Sequence, residues 1–459
     1  MCAYEVRSST AERLDAVLGQ MQALGRVPSV SAGVVRGGDL AWCGGVGGVS
    51  GDVRPGPDVQ YRIGSITKTF VAVLVLRLWC EGLVRLDDRV DRFITDTPFG
   101  DRTVQQLLTH TGGLSAEPPG SWWERSEGVD GDRMRRLWSR DQVVDRAGRG
   151  HHYSNLGFGV LGELVEKVRG GAWFEVLDDE VLRPLGMSRT SLVPSAESVR
   201  GWAVHPYADV LMSERVVETG WMAPAGQLWS TVTDLAVWTR FLGGGFGGIL
   251  PDEVVTQMWE PQAVSDGSSW DSASGLGLQL RRHQGERFVG HGGSMPGFQA
   301  GLWVAPVSGT GVVWLSNATT ASPGAPGGLR LWEVFEECEP ARRKPWRPVE
   351  AVDADALALT GQWFWGTSVG VMRVEADGAL RLEGVSGMMP SARFRRVGDD
   401  VWRGDGQYFT AELLRVVRRD DGEVSHLDVG TFVLTRSPYE PADVIPGGIV
   451  EGWPRRTVS

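Results

Sequence analysis

The order of segment types along the chain constrains its fold more than any other feature. Residues 27–48, "VPSVSAGVVRGGDLAWCGGVGG", alternate small and β-branched residues around an "RGGD" turn and predict a β-hairpin. From about residue 65 to 240 apolar residues recur at helical spacing, and between about 275 and 317 strand patterns return with short Gly/Pro-rich turns. Strands, then helices, then strands predict an α+β domain with an antiparallel sheet.

A second region follows the last of these strands. The stretch "ECEPARRKPWRPVEAVDADA" is rich in proline and charge, and short alternating strand patterns occupy the remainder of the chain. A chain of 459 residues also exceeds what one hydrophobic core usually holds. We therefore predict a first domain at residues 1–340, a linker at 341–355 and a small all-β domain at 356–459.

Charge and apolar patterning exclude two classes of partner. Lys and Arg number 46 against 57 Asp and Glu, a net charge of -11, and the basic run "RRKPWR" is short and isolated. No nucleic-acid partner is expected from this balance. The longest apolar run, "FVAVLVLRLW", has ten residues and contains Arg77, far short of the roughly 20 that cross a bilayer. We predict a buried helix there and no membrane partner.

The N-terminus and the cysteines bear on compartment and metal content. The opening "MCAYEVRSSTAERLDAVLGQ" carries acidic residues and no uninterrupted apolar region of the kind found in secretory signals, so we expect a cytoplasmic location. The four cysteines are scattered without C-x-x-C spacing, which disfavours a zinc site and a disulfide framework. We predict no metal and no cofactor.

The segment "RIGSITKTF" places Ser65 and Lys68 one helical turn apart at the start of the long apolar run. A serine hydroxyl is a weak nucleophile at neutral pH, and a lysine buried in an apolar wall could lose its charge and act as its base. The alternative is structural: Ser65 caps the helix and Lys68 is a solvated helix residue.

Two later segments carry further candidate groups. "HHYSNLGFG" sets Tyr153 and Asn155 two residues apart before a helix, so a phenol and an amide could enter one cleft. Packing and helix capping are the alternative for that pair. "GHGGSMPGF" sets His291 on a predicted strand, followed by glycines that allow a ligand to approach the backbone N–H groups.

In this order, S-x-x-K, Y-x-N and H-x-G resemble the motif set of the serine penicillin-recognising enzymes. The surrounding text, "TVQQLLTHTGGLS", "VLRPLGMSRTSL" and "PAGQLWSTVTDLAVW", is similar to the class C β-lactamase branch, and the resemblance covers about residues 10 to 320. It implies a serine β-lactamase/transpeptidase-like fold, an antiparallel sheet flanked by helices beside a helical subdomain. The C-terminal region resembles the lipocalin-like barrels that follow such cores.

Carried over by position, the resemblance implies a role for each motif residue. Ser65 would be the acylated nucleophile, Lys68 its base, Tyr153 the second proton-transfer group and Asn155 a contact to the substrate amide. His110, in "LLTHTGGL", is predicted to orient a helix end.

The last motif carries the oxyanion site and one departure from the family. The two oxyanion donors would be the backbone N–H groups of Ser65 and Ser294, with Gly292 and Gly293 making room for them. His291 stands where many relatives have the lysine of K-T-G. A histidine is mostly neutral at pH 7 and is a poor partner for a substrate carboxylate, which argues against a dedicated β-lactamase.

The branch contains class C β-lactamases, D-aminopeptidases, D-amino acid amidases, esterases and penicillin-binding-protein-type thioesterases that cyclise nonribosomal peptides. The pattern is closest to the thioesterases and the D-aminopeptidases. We expect release and macrolactamisation of a peptidyl thioester with a D-residue at its C-terminus, for which a synthetase carrier protein is the candidate donor. Trp122 and Trp123, in "PPGSWWERSEG", are candidates for the acyl pocket. A cytosolic D-aminopeptidase, D-amino acid amidase or esterase is the alternative. A weak β-lactamase or an inactive binding protein is the second alternative, and the sequence does not indicate the oligomeric state.

Overall fold

The computed structural model describes residues 6–48, 53–245, 248–320, 324–340, 346, 348–349, 351–430 and 432–439. The chain divides into two compact units, Met1–Arg342 and Arg343–Ser459. Most of residues 341–350, where the linker is predicted, lie outside the described residues, and the predicted boundaries stay predictions.

The first unit contains both helices and strands. Its helices are α1 (Ser8–Gly25), α2 (Thr67–Cys80), α3 (Val104–Leu108), α4 (Gly131–Leu137), α5 (Asn155–Arg169), α6 (Trp173–Leu177), α7 (Arg183–Leu185), α8 (Ala223–Gly226), α9 (Val232–Leu242), α10 (Asp252–Met258) and α11 (Gly324–Cys338). Its strands are β1 (Ser29–Arg36), β2 (Asp39–Gly47), β3 (Tyr61–Arg62), β4 (Trp202–Val204), β5 (Leu211–Ser213), β6 (Trp229–Ser230), β7 (Ala263–Val264), β8 (Ser272–Ser274), β9 (Gln279–His283), β10 (Glu286–Met295), β11 (Phe298–Ala305) and β12 (Thr310–Ser316).

The main sheet is antiparallel and has the strand order β2-β1-β12-β11-β10-β9-β8-β7. The predicted hairpin is confirmed, since β1 pairs with β2 and also with β12 at the other end of the unit. The predicted return of strand patterns is confirmed as well, because β9 to β12 form an antiparallel meander. Strand β10, which carries the H-x-G motif, therefore lies well inside the sheet.

Helices cover both faces of this sheet. The apolar side chains of α1 and α11 pack with those of β1 and β12 in one core cluster, while α2, α5 and α9 belong to a larger cluster that includes side chains of β10 and β11. Helix α2 is buried along most of its length, as predicted for the apolar run. No helix in the described part of the chain is both long and apolar enough to cross a bilayer.

The helical middle of the chain contains details that the sequence predicts and others that it does not. The segment "TVQQLLTH" begins with the Thr-x-x-Gln spacing that predicts a capping box, and the box is present at α3: Gln106 N donates to Thr103 Oγ1 at 3.2 Å, and Thr103 N donates to Gln106 Oε1 at 3.0 Å. Two short strand pairs, β3 with β6 and β4 with β5, interrupt the helices. Strands of two or three residues are too short to show an alternating pattern.

The second unit is the predicted small all-β domain. After a short helix, α12 (Ala354–Ala358), its strands are β13 (Gly361–Trp365), β14 (Ser368–Val374), β15 (Leu380–Gly384), β16 (Ala392–Gly398), β17 (Val401–Gln407), β18 (Leu413–Arg418), β19 (Val424–Val429) and β20 (Phe432–Leu434).

These strands form a barrel. Each pairs antiparallel with its neighbour along the chain, and Phe364 and Thr435 exchange backbone hydrogen bonds of 2.8 and 2.9 Å that join the first strand to the end of the last. Trp363, Phe394 and Trp402 lie in its apolar core. A sequential barrel of this kind has the topology of up-and-down barrels, and the specific lipocalin likeness stays a prediction.

Candidate active site

The serine of the S-x-x-K motif lies in a short 3-10 turn, Gly64–Ile66, between β3 and α2. Its side chain is half-buried, whereas its neighbours on both sides along the chain are buried. Helix α2 has Ile66 at its N-cap position, without a side-chain cap. The alternative in which Ser65 caps the helix is therefore wrong, and its hydroxyl makes other contacts.

Lys68 lies directly behind this hydroxyl and is fully buried. Its Nζ donates to Ser65 Oγ at 2.9 Å, to Asn155 Oδ1 at 2.7 Å and to the carbonyl oxygen of Ala225 at 2.5 Å. These three acceptors come from the serine turn, α5 and α8, so the nitrogen of Lys68, which belongs to α2, is held where these elements meet. The alternative of a solvated lysine is wrong.

Burial also sets the charge of Lys68. Removal from water disfavours the ammonium form and lowers its pKa to about 7, while the carboxylates of Glu117 and Glu124 act in the opposite direction. A substantial fraction of the lysine is therefore a neutral amine at physiological pH, and this neutral amine lies within hydrogen-bonding distance of Ser65.

Tyr153 completes the contacts around the serine. Its hydroxyl forms a hydrogen bond with Ser65, and burial raises its pKa well above the usual range, so it is a phenol at neutral pH. Its ring centroid lies 5.0 Å from Lys68 Nζ. The ring centroid of His110 lies 4.4 Å from that of Tyr153, and His110 Nδ1 accepts a hydrogen bond of 3.1 Å from the backbone N–H of Ser154.

His291 lies on β10 with its side chain buried, 6.1 Å from the Tyr153 ring. Its Nδ1 is bonded to the carbonyl oxygen of Gly292; because a carbonyl only accepts, Nδ1 carries the proton and Nε2 is an acceptor. Burial, and then the nearby Lys68, lower its pKa to about 3. The imidazole is therefore neutral at pH 7, in agreement with the expectation from sequence.

Strand β10 runs in contact with the turn that carries the serine. A Cβ at Gly293 would lie 2.0 Å from the carbonyl oxygen of Ile63 and 3.3 Å from Ser65 N. A Cβ at Gly64, whose φ is +53°, would lie 2.4 Å from Ser294 N. Neither position has room for a side chain. This close approach of β10 and the serine turn brings the backbone nitrogens of Ser65 and Ser294 near each other.

The two tryptophans of the predicted acyl pocket have different environments. Trp123 is buried, and its Nε1 donates to Glu117 Oε2 at 2.6 Å. Trp122 is 61% exposed, and its Nε1 donates to Glu124 Oε2 at 3.0 Å. The structure therefore brings only Trp123 into the packing around the site, where its ring also lies near Gly226.

Two groups in the site are not predicted from the sequence. Asn155 Nδ2 donates to Glu117 Oε1 at 2.9 Å, so this carboxylate adjoins the Y-x-N motif. Glu117 is a single acidic residue in a Pro/Gly-rich loop, and nothing in its surroundings marks it. The other group is the carbonyl of Ala225, a backbone atom; the "PAGQL" text of the family resemblance was the available signal.

The site as a whole has the groups needed for nucleophilic catalysis. A hydroxyl is bonded to a lysine amine and to a phenol, and backbone N–H groups lie beside it. Within the described ranges of the chain, no group of three or more His, Cys, Asp or Glu side chains is arranged to hold a metal ion.

Known sequences that resemble this chain belong to the family that the site geometry indicates. The family model described as Beta-lactamase matches residues 14–334, more than half of the chain. A second model, described as a domain of unknown function, DUF7586, matches residues 352–436. A human protein named beta-lactamase-like 1 is 27% identical over 365 residues, which are 75% of this chain and 71% of that protein.

Solved structures show the same fold. The D-amino acid amidase from Ochrobactrum anthropi SV3, solved with D-phenylalanine, has a TM-score of 0.64 at 22% identity and covers 72% of this chain and 99% of its own. SurE, solved with D-Leu, has a TM-score of 0.57 at 23% identity and covers 94% of this chain and 100% of its own. The predicted β-lactamase/transpeptidase-like fold is confirmed.

Proposed function

The chain belongs to the Beta-lactamase family, and on that premise we propose that it is a serine acyltransferase that works through an acyl-Ser65 intermediate. The observation that carries this proposal is the hydrogen bond between Ser65 Oγ and a Lys68 amine whose pKa is about 7. A neutral amine at this distance can remove the hydroxyl proton as the oxygen attacks a carbonyl.

In the acylation step the Ser65 oxygen forms a bond to the carbonyl carbon and its proton passes to Lys68 Nζ. The carbonyl oxygen becomes an oxyanion, which the backbone N–H groups of Ser65 and Ser294 would stabilise; one such donor is worth about 3 to 4 kcal/mol. As the tetrahedral intermediate collapses, the leaving thiolate or amine takes a proton from the Tyr153 phenol, which regains one from Lys68. The result is an ester at Ser65 and a neutral leaving group.

The second step decides between transfer and hydrolysis. We propose that the acyl group is a peptide with a D-residue at its C-terminus, delivered as a thioester by a synthetase carrier protein in the cytoplasm. The peptide's own N-terminal amine then attacks the ester, its proton passes through Tyr153 and Lys68 back to Ser65, and a macrolactam leaves. The buried Trp123 beside the site would help to exclude water.

Two fold relatives support the D configuration of the acyl donor. One is named a D-amino acid amidase, although it was solved with both D- and L-phenylalanine, and SurE was solved with D-Leu. The SurE structure also covers 94% of this chain, far beyond the catalytic unit, whereas the amidase covers 72%. This coverage includes residues of both units, and a penicillin-binding protein homologue from Pyrococcus abyssi also covers 92% of the chain.

Hydrolysis is the second candidate, since water can attack the same ester. The neutral His291 and the likeness of the fold to a D-amino acid amidase favour a D-amino acid amidase or D-aminopeptidase within this class. A dedicated β-lactamase is disfavoured because the position that many relatives fill with a lysine carries no charge. An inactive binding protein is disfavoured because Lys68 and Tyr153 both contact the Ser65 hydroxyl.

The test is to offer peptide thioester mimics that differ only in the chirality of the last residue and to weigh the products. Cyclisation loses the thiol without gaining water, so the two outcomes differ by the mass of one water molecule. We expect a cyclic product from the D epimer and none from the Ser65→Ala variant. Exclusive hydrolysis of both epimers would overturn the cyclase version and leave a hydrolase.

A further inference from the structure

We propose that Glu117 binds a primary ammonium group of the substrate beside acyl-Ser65. This inference rests on the proposed function and adds the chemistry that selects the substrate. A free amine is available from two sources, the α-amino group of a D-amino acyl donor and the N-terminal amine of a peptide that is to be cyclised. Both present the same ammonium ion to the protein.

The carboxylate is held in a fixed position in the site. Its Oε1 accepts a hydrogen bond of 2.9 Å from Asn155 Nδ2, and its Oε2 accepts one of 2.6 Å from Trp123 Nε1. Asn155 in turn accepts from Lys68 Nζ at 2.7 Å. Hydrogen bonds therefore connect Ser65 to Glu117 through Lys68 and Asn155. Each carboxylate oxygen of Glu117 accepts one hydrogen bond from an uncharged N–H donor.

The carboxylate is also accessible, and Lys68 acts on it through space without a direct ion pair. Glu117 is exposed, although the two side chains that bond to it, Asn155 and Trp123, are buried. Among the residues that the structure describes, none forms an ion pair with it. A carboxylate has about four acceptor positions, so the two hydrogen bonds leave capacity for an ammonium ion that arrives from the open side.

The rest of the site favours a cation rather than an anion. Glu124 is a second carboxylate within electrostatic range of Lys68, and His291 is neutral where many relatives carry a lysine. The guanidinium of Arg62 lies within range of Glu124, but the side chain is 1% exposed and its Nη2 donates to the carbonyl oxygen of Val217. It is therefore shielded from a ligand.

Asn155 determines where the ammonium ion would be. Its Nδ2 has two N–H groups, and Glu117 accepts from one of them. Among the described residues no second acceptor contacts Asn155 Nδ2, so its other N–H group can donate to a substrate carbonyl, and the atoms attached to that carbonyl then lie next to the Glu117 carboxylate. An amine there can make a charge-assisted hydrogen bond, which typically changes affinity by about tenfold or more.

A purely structural role is the competing explanation, because Glu117 also orients Asn155. The two roles predict different effects of a Glu117 substitution on binding affinity. If Glu117 only orients Asn155, the affinity for all ligands changes alike; if it binds an ammonium group, only ligands with a free amine lose affinity. Glu124 provides the matched control, since its carboxylate also accepts from a tryptophan indole and also acts on Lys68, but it is bonded to Trp122 rather than to Asn155.

The experiment measures binding by calorimetry in the Ser65→Ala background, so that it does not depend on turnover. The probes are D-phenylalanine amide and its N-acetyl derivative. We expect the free amine to bind at least about tenfold more tightly, Glu117→Gln to reduce this ratio to less than about threefold, and Glu124→Gln to retain most of it. Equal affinity for the two probes, an equal loss for both probes in Glu117→Gln, or the same effect from Glu124→Gln would overturn the proposal.

Two further arms identify the source of the amine in the Ser65-containing protein. The first compares hydrolysis of D-phenylalanine amide and its N-acetyl derivative, and the second compares a D-terminal peptide thioester with a free or an acetylated N-terminus. A Glu117-dependent preference in the first arm assigns the α-amino group; in the second arm, it assigns the N-terminal amine. If Ser65 cannot be acylated at all, the proposed function fails while the calorimetric result still decides the ammonium site.

Discussion

The side-chain nitrogen of Lys68 lies 2.7 Å from the amide oxygen of Asn155, which is 87 residues further along the chain. This single bond joins the S-x-x-K motif to the Y-x-N motif and holds the lysine amine against Ser65. Because Lys68 is fully buried, the contact also compensates part of the cost of removing its polar nitrogen from water. The geometry for catalysis and the stability of this part of the fold therefore depend on the same bond.

Ser65→Ala and Lys68→Ala should each remove nearly all acyl transfer. The two residues act together as nucleophile and base, so we expect either change to lower kcat by several orders of magnitude. The double variant should have about the same kcat as the slower of the two single variants. The measurement is turnover of a D-configured thioester. A double variant that is much slower than either single would show that the two residues act independently.

The rate of Ser65 acylation should rise with pH and level off above about pH 7. The base is active only as a neutral amine, and its pKa is about 7, so the rate should fall about tenfold per unit below that pH. His291 has a pKa of about 3 and should not contribute. Labelling by a fluorophosphonate across pH 5 to 9 measures this. A midpoint that disappears in His291→Asn would assign the titration to the imidazole instead.

His291→Lys should lower the midpoint of that pH profile. Lys68 depresses the pKa of His291, and by reciprocity a positive charge at position 291 would depress the pKa of Lys68. We also expect the choice of acyl acceptor to change more than the maximal acylation rate. The pH profiles of acylation and deacylation report both effects. If both are the same as in the unmodified protein, the imidazole has only a structural role.

Gly293→Ala should disrupt the site, whereas Gly292→Ala should not. The new methyl group at 293 would lie 2.0 Å from the carbonyl oxygen of Ile63, while at 292 the nearest atom would be Gln279 Oε1 at 3.9 Å. Displacement of β10 from Ser65 would remove an oxyanion donor, a loss of about 100- to 1000-fold in kcat. Thermal unfolding and kcat are measured for both. Similar values for the two variants would contradict the close contact between β10 and the serine turn.

The main elements of the fold and most of the site follow from the sequence for identifiable physical reasons. The hairpin β1–β2 and the buried helix α2 have long, regular apolar patterns, and the capping box at Thr103 requires only two residues at fixed spacing. Ser65, Lys68, Tyr153 and Asn155 come together in the structure. The sequence shows them because each pair is only two or three residues apart at the start of a helix, α2 or α5.

Other parts of the site depend on tertiary contacts that leave no local pattern. Glu117 lies in an irregular loop and gains its position from Asn155 and Trp123. Adjacent loop residues also face different surroundings, so Trp122 is 61% exposed and Trp123 is 7% exposed, which the doublet in the sequence does not show. The Ala225 contact uses a backbone carbonyl, and residue identity carries little information about such an atom.

The most direct test of the central claim is the mass of the protein after brief exposure to a D-configured acyl thioester. Intact-mass measurement followed by peptide mapping should find one added acyl group, located on Ser65, with much less from the L epimer and none in Ser65→Ala. Turnover of the D-configured thioester without any Ser65 adduct, or an adduct on another residue that persists in Ser65→Ala, would contradict an acyl-Ser65 mechanism.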